Sequence, residues 1–253
     1  MFHQPTMERL QQMHLHGFLE ELRRQAEQAT HYNALDFEER LALLVEQEWL
    51  YRENRRLAAR LRHAKLRQQA TVEDIDYRQD RGLDKAIVRQ LARCEWVREK
   101  RNLLITGPAG AGKSYLACAL ADRACREGFT VLYRRLARLL SELAVSREEG
   151  TEVRKLRRIE KVDVLVIDDW GLAPLGTNER HWLLEIAEER YDRHATLVTS
   201  QLPVKDWHGY IGDATLADAI LDRLTPGAHR VDFKPKTESM RRRRGLKEEG
   251  QSE

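Results

Sequence analysis

The residues best suited to chemistry lie at Gly107-Pro108-Ala109-Gly110-Ala111-Gly112-Lys113-Ser114, where a short apolar run, Asn102 to Thr106, enters a G-x-x-x-x-G-K-S turn. Gly107, Gly110 and Gly112 lack Cβ atoms, so the turn can fold back and aim successive backbone N–H groups at one phosphate. Lys113 would set a compact positive charge between the β- and γ-phosphates of a nucleotide, and the Ser114 hydroxyl would supply an oxygen ligand to Mg2+. A helix beginning there and continuing through Tyr115 to Leu120 turns its positive dipole end toward the same anion.

A second apolar run, Val164 to Ile167, ends in Asp168-Asp169-Trp170-Gly171 and reads as a buried parallel strand with acids at its C-terminal edge, where ligands gather in α/β sheets. Asp168 is expected in the magnesium shell. Asp169 is expected to polarise the water that attacks the γ-phosphate, because phosphoryl transfer depends on positioned charge more than on covalent chemistry. A third strand, Thr196 to Gln201, turns polar at its end, where Thr199, Ser200 or Gln201 would contact the γ-phosphate or its water; an ordinary strand-to-loop transition accounts for the same pattern.

These groups need a frame. From Asn102 the pattern alternates: strand 102–106, helix 113–127, strand 131–133, helix 136–146, strand 162–167, helix 178–192, strand 195–200. It predicts an α/β fold, a parallel sheet covered by helices on both faces, with Thr177 as N-cap of the long helix after the acidic strand. Before it, two helices are expected, from about Thr6 to Ala29 and from Asp36 to about Gln68, the second opened by a capping box between Asp36 and Glu39. A connector follows over 71–101, extended at Asp74 to Tyr77 and helical from Asp84 to Glu99.

The chain has 253 residues, 34% of them charged, and a net charge of only +3, but its charge is unevenly spread. Arg52, Arg55, Arg56, Arg60, Arg62, Lys65 and Arg67 face the single acid Glu53 over residues 52–67. At 100° per residue Leu50, Leu57, Leu61 and Ala64 share one side, and Arg52, Arg56, Arg60 and Arg67 cluster opposite. Such a stripe suits a DNA phosphate backbone; a solvated helix face is the other reading. Arg154 to Arg158 offers a further basic surface or a charged helix end, and Arg241 to Arg244 a mobile tail or a nonspecific nucleic-acid contact. Cys94, Cys118 and Cys125 have no metal-ligand spacing and read as reduced core thiols. No apolar stretch approaches membrane-spanning length and the opening residues carry no export signal, so a cytoplasmic protein without membrane contact is expected.

Taken with Phe37-Glu38-Glu39-Arg40-Leu41, Val198-Thr199-Ser200-Gln201-Leu202-Pro203 and Ile220-Leu221-Asp222-Arg223-Leu224, these motifs make the chain resemble the IstB-like transposition helper ATPases of insertion sequences, over about nine-tenths of its length. The resemblance implies an AAA+ P-loop fold related to bacterial helicase loaders, hydrolysis of ATP with Mg2+, and homo-oligomers with ATP at subunit interfaces. It also implies binding to double-stranded DNA and a transposase partner. In that pattern Arg223 reaches the ATP of the adjacent subunit, and Arg190 is a further interface candidate. Too few residues follow the last strand for a helical lid. The expected divisions are 1–70, a helical DNA-binding and assembly domain; 71–101, a connector; 102–233, the ATPase core; and 234–253, a basic tail. A helicase loader using the same core is the alternative function. A small-molecule P-loop kinase fits less well, since paired acids and a distant arginine suit hydrolysis.

Overall fold

The computed structural model describes residues 4–77 and 82–234. The expected tail, with Arg241 to Arg244, falls outside the described residues. The chain divides into two compact units between Ala59 and Arg60, whereas the sequence pattern set the division near residue 70.

The first unit holds α1 (Gln4–Gln12), α2 (His16–Glu27), α3 (Ala29–Tyr32) and most of α4 (Phe37–Ala64). One opening helix was expected, but the chain breaks at His14, which adopts φ 57°. The break lets α2 fold back onto α4: a Cβ on Gly17 would lie 2.5 Å from the Gln47 carbonyl and 2.8 Å from Glu48 Cα. Glu48 reaches into this contact, where its carboxylate accepts from the Phe18 N–H at 3.1 Å and pairs with Arg52 at 2.6 Å. Burial opposes the Glu48 charge, yet Arg52 and the α2 N–H groups hold its carboxyl below the usual range.

The expected capping box forms: the Glu39 N–H donates to Asp36 at 2.8 Å and the Asp36 N–H to Glu39 at 3.0 Å. The expected seam is only partly buried. Ala64 is fully buried and Leu57 and Leu61 half-buried, but Leu50 is exposed. Position 50 lies about 200° around the helix from Glu48, which faces α2.

The second unit continues with α5 (Lys85–Leu91), α6 (Glu95–Arg98), β1 (Leu103–Thr106), α7 (Lys113–Arg126), β2 (Val131–Arg135), α8 (Leu136–Glu148), α9 (Glu152–Glu160), β3 (Val164–Trp170), α10 (Thr177–Arg190), β4 (Ala195–Ser200), α11 (Trp207–Ile211), α12 (Ala214–Leu224) and β5 (His229–Asp232). The helix expected over 84–99 is broken by Cys94 at φ 57° into α5 and α6. Thr177 is the first residue of α10, and the Gly176 before it donates its N–H to Glu179 at 2.7 Å, so glycine takes the cap expected of threonine. In α9, Leu156 and Ile159 are buried while Arg154, Arg157 and Arg158 are exposed.

The strands form one parallel sheet in the order β2-β3-β4-β1-β5. β1 and β4 are buried at every position, as strands covered on both faces must be. α7 approaches closely because Ala117, Cys118, Ala119, Ala121, Ala124 and Cys125 are small and almost wholly buried. All three thiols are free, and burial raises each above its ordinary pKa, as reduced core residues require.

Arg190, expected at a subunit interface, is instead 1% exposed. Its guanidinium donates to the carbonyls of Ile159, Glu160, Val162 and Ala195 and to the Thr196 hydroxyl, at 2.5–3.1 Å. It ties together the ends of α9, α10 and β4. Among the described residues no helix is long and apolar enough to cross a membrane.

Candidate nucleotide site

β1 ends at Thr106, and the turn that follows supports itself. Gly110 and Gly112 adopt φ 76° and 105°, conformations that glycine enters without Cβ strain. Gly107 has a second constraint, because a Cβ there would lie 2.6 Å from Phe233 Cβ. The Lys113 ammonium is buried and donates to the carbonyls of Gly107 and Pro108 at 2.7 and 2.8 Å, which fixes the loop around a cation. α7 starts at Lys113, so its N-terminal N–H groups face the same loop.

A cavity of about 390 Å³ opens against this loop. Ala109, Gly110, Gly112, Lys113, Ser114 and Tyr115 line it from the expected phosphate-binding segment, with Gln201 from the end of β4. Ala111 is buried within the turn. Ile75, Leu83 and Phe233 add apolar lining suited to a base, a contribution hidden in the sequence because Phe233 lies far along the chain from the other two.

The twin acids sit at an irregularity. β3 and β4 pair in register up to Ile167 and resume at Trp170, and Asp169 between them adopts φ 62°. The extra residue of this β-bulge interrupts the ladder just where the two acids stand. Asp168 is fully buried and accepts from Ser114 Oγ at 2.9 Å and from the hydroxyls of Tyr133 and Thr199. Burial first, and then Asp168, push the Tyr133 hydroxyl well above its ordinary pKa, so it remains a donor. Asp169 is partly exposed, pairs with Arg135 at 2.7 Å, and receives no hydroxyl; its N–H donates to Thr199 Oγ1 at 3.2 Å.

The polar end of β4 therefore divides its labour. The Thr199 hydroxyl is engaged by both acids, and Ser200 Oγ donates to the Trp170 carbonyl at 2.8 Å. Thr199, expected to touch the γ-phosphate, faces the carboxylates, and Gln201 is the residue of the three that lines the cavity.

The expected arginine stripe also divides. Arg52 pairs with Glu48 and Arg56 with Glu53, while Arg60 Nε donates to the Cys125 carbonyl at 2.8 Å. Arg55, Arg62 and Lys65 are exposed. Arg67 leaves the stripe altogether, because α4 ends at Ala64 and Lys65 turns at φ 53°. Its guanidinium lies 3.6 Å from Asp168 and 3.9 Å from Asp169 and lines the cavity. Arg223, at the end of α12, is part-exposed and pairs with Glu188 at 3.0 Å.

The donor set fits a magnesium nucleotide. A glycine turn with a buried ammonium suits phosphates, and a hydroxyl beside a buried carboxylate offers the hard oxygen ligands that Mg2+ takes. Ser114 and Asp168 would hold the ion, which would draw charge from the terminal phosphates.

A family model described as IstB-like ATP binding protein matches residues 8–248. Over 247 residues the chain is 48% identical to y4pL of Sinorhizobium fredii, which bears the name of an insertion sequence ATP-binding protein, covering 96% of this chain and 98% of that one. It is 32% identical over 238 residues to the protein of that naming from insertion sequence IS21 of Pseudomonas aeruginosa, covering 94% and 88%. Among solved structures, DnaI matches with a TM-score of 0.58 at 23% identity, over 66% of this chain and 92% of that one. AMPPCP-bound DnaA from Aquifex aeolicus matches at 0.56 and 17%, over 74% and 56%. These two likenesses are of fold, that of the AAA+ P-loop proteins.

Proposed function

The chain belongs to the IstB-like ATP-binding proteins, and from that premise we propose that it is an ATP-dependent, DNA-binding transposition regulator of the cytoplasm. The observation that carries the reading is that Lys113 and Ser114 line one cavity and that Ser114 is hydrogen-bonded to the buried Asp168 behind it.

Lys113 and the loop N–H groups bind the phosphates, Ser114 and Asp168 orient the metal, and Asp169 takes the proton of the attacking water. Thr199 acts by holding both acids in place. Arg223 reaches the ATP of a neighbouring copy. Its partner Glu188 is about half exposed, and ion pairs of that kind cost little to exchange. Because one copy completes another's site, ATP binding and self-association are thermodynamically linked, and hydrolysis releases the assembly.

Duplex DNA is gripped by Arg52, Arg55, Arg56, Arg60, Arg62 and Lys65, and the assembled protein recruits or stimulates a transposase. The helicase-loader alternative keeps the ATPase core and gives the amino-terminal helices a helicase to hold. Electron microscopy of the protein with duplex DNA and a nonhydrolysable ATP analogue tests the choice. Ordered filaments or rings on DNA are expected; protein bound to a replicative helicase and absent from duplex would overturn the reading.

A further inference from the structure

Arg67 was grouped by sequence with the DNA-facing arginines, yet it lines the nucleotide cavity. Its segment is secured there at several points. The left-handed turn at Lys65 swings it off α4, the Arg67 and Gln68 backbone N–H groups face the Cys118 sulfur on α7, and Ala70 beyond it is buried. One turn further back, Ala64 is buried and Arg60 holds the carbonyl of Cys125, also on α7. The guanidinium is thus delivered to the cavity wall beside Asp168 and Asp169.

Charges of both signs meet there. Arg67 and Arg135 flank Asp168 and Asp169, and the buried Lys113 ammonium adds a third cation beside Ser114, the hydroxyl that donates to Asp168. Asp74 and Asp76 also line the cavity, so what marks Arg67 is its placement there and not an excess of cations. Arg67 contacts the acids at 3.6 and 3.9 Å, too long for hydrogen bonds, and its side chain is 37% exposed. Its donors are therefore not saturated by those carboxylates, and a guanidinium fork is well matched to phosphate oxygens.

We infer that Arg67 binds the terminal phosphate of the nucleotide in its own subunit and so distinguishes ATP from ADP. The role rests on the nucleotide reading above and deepens it. It also gives the C-terminal end of α4 a direct dependence on which nucleotide is held, because Arg67 lies three residues past the end of that helix. Arg223 is assigned to a neighbour's ATP; Arg67 acts within its own chain.

The test is equilibrium binding of a nonhydrolysable ATP analogue and of ADP, each with Mg2+, to the wild type and to Arg67→Gln, Arg67→Lys and Lys113→Ala. Arg67→Gln is expected to weaken the analogue by roughly tenfold to a hundredfold, the worth of a hydrogen bond to a charged group, and to leave ADP within about twofold. Arg67→Lys, which keeps the charge without the fork, should show a smaller loss of the same selectivity. If Arg67→Gln does not fold, the lysine variant decides. An unchanged ATP to ADP ratio, an equal loss of both nucleotides, or lost duplex binding with the ratio intact would each overturn the role. Lys113→Ala should lose both nucleotides. If it binds them like the wild type, or the wild type binds neither, the nucleotide reading fails and the role of Arg67 falls with it.

Discussion

Ser114 and Asp168 meet at 2.9 Å although 54 residues separate them, and their hydrogen bond joins the first turn of α7 to the end of β3. Asp168 accepts at the same time from Tyr133 and Thr199, so it is both the expected magnesium partner and a structural acceptor. Asp168→Asn keeps the shape but sets an amide against donors. It should reduce magnesium-dependent ATP turnover by roughly a hundredfold or more and lower stability by about 1–3 kcal/mol. Phosphate release and urea unfolding measure the two effects, and a variant with full turnover removes Asp168 from the metal site.

Asp169 should behave differently. It is held by Arg135 and not by neighbouring hydroxyls, so Asp169→Asn leaves the fold and nucleotide affinity near wild type. Hydrolysis should fall by about 10²–10⁴-fold if the carboxylate takes a proton from water. Single-turnover kinetics on saturated protein separate this loss from binding, and unchanged rates exclude the role.

Removal of Arg190 is expected to cost about 3–5 kcal/mol, since several buried carbonyls lose their donor together. Arg190→Lys should recover only part of it, because an ammonium lacks the planar fork that spans α9 and β4. Denaturant melts of both variants check this. A cost below about 1 kcal/mol would show that water replaces the guanidinium.

Glu48 makes the amino-terminal unit sensitive to acid. Its carboxyl is held below its ordinary value, so the charged form contributes stability above the unfolded-state pKa of about 4.3. That contribution is lost as pH falls through the lower folded-state value. Wild type should therefore exceed Glu48→Gln in stability at neutral pH, and the gap should close below about pH 4. Urea titrations across pH 3–7 would detect it; a gap independent of pH would assign the effect to packing.

For DNA, the exposed residues Arg55, Arg62 and Lys65 are cleaner probes than Arg60, which holds the Cys125 carbonyl. Neutralising all three to glutamine should weaken every duplex sequence alike. The slope of log affinity against log salt should become shallower by roughly one for each phosphate contact removed. Unaltered salt dependence would leave this helix out of DNA binding.

What could be read from the sequence was what is local. The run from Leu103 to Ser114 carries strand, turn and helix start within a few residues, and the Asp36–Glu39 cap is complete in four. Arg190 was misread because its burial depends on carbonyls about thirty residues away, with no local signal to set it apart from a surface arginine. Arg67 was misread because helical phase was carried past Lys65, where a left-handed residue that is not glycine ends the helix. His14 and Cys94 broke helices in the same unmarked way. Thr199 stands beside the two acids, an orientation that follows from pairing between β3 and β4.

The irregular pairing between Ile167 and Trp170 also bears on how this segment can change in length. Deleting one amino acid there would not simply shorten β3: it would remove the extra residue between the two pairings and with it the left-handed turn at Asp169. An insertion or deletion between 167 and 170 should consequently be at least as damaging as loss of either carboxylate, because it displaces both acids at once.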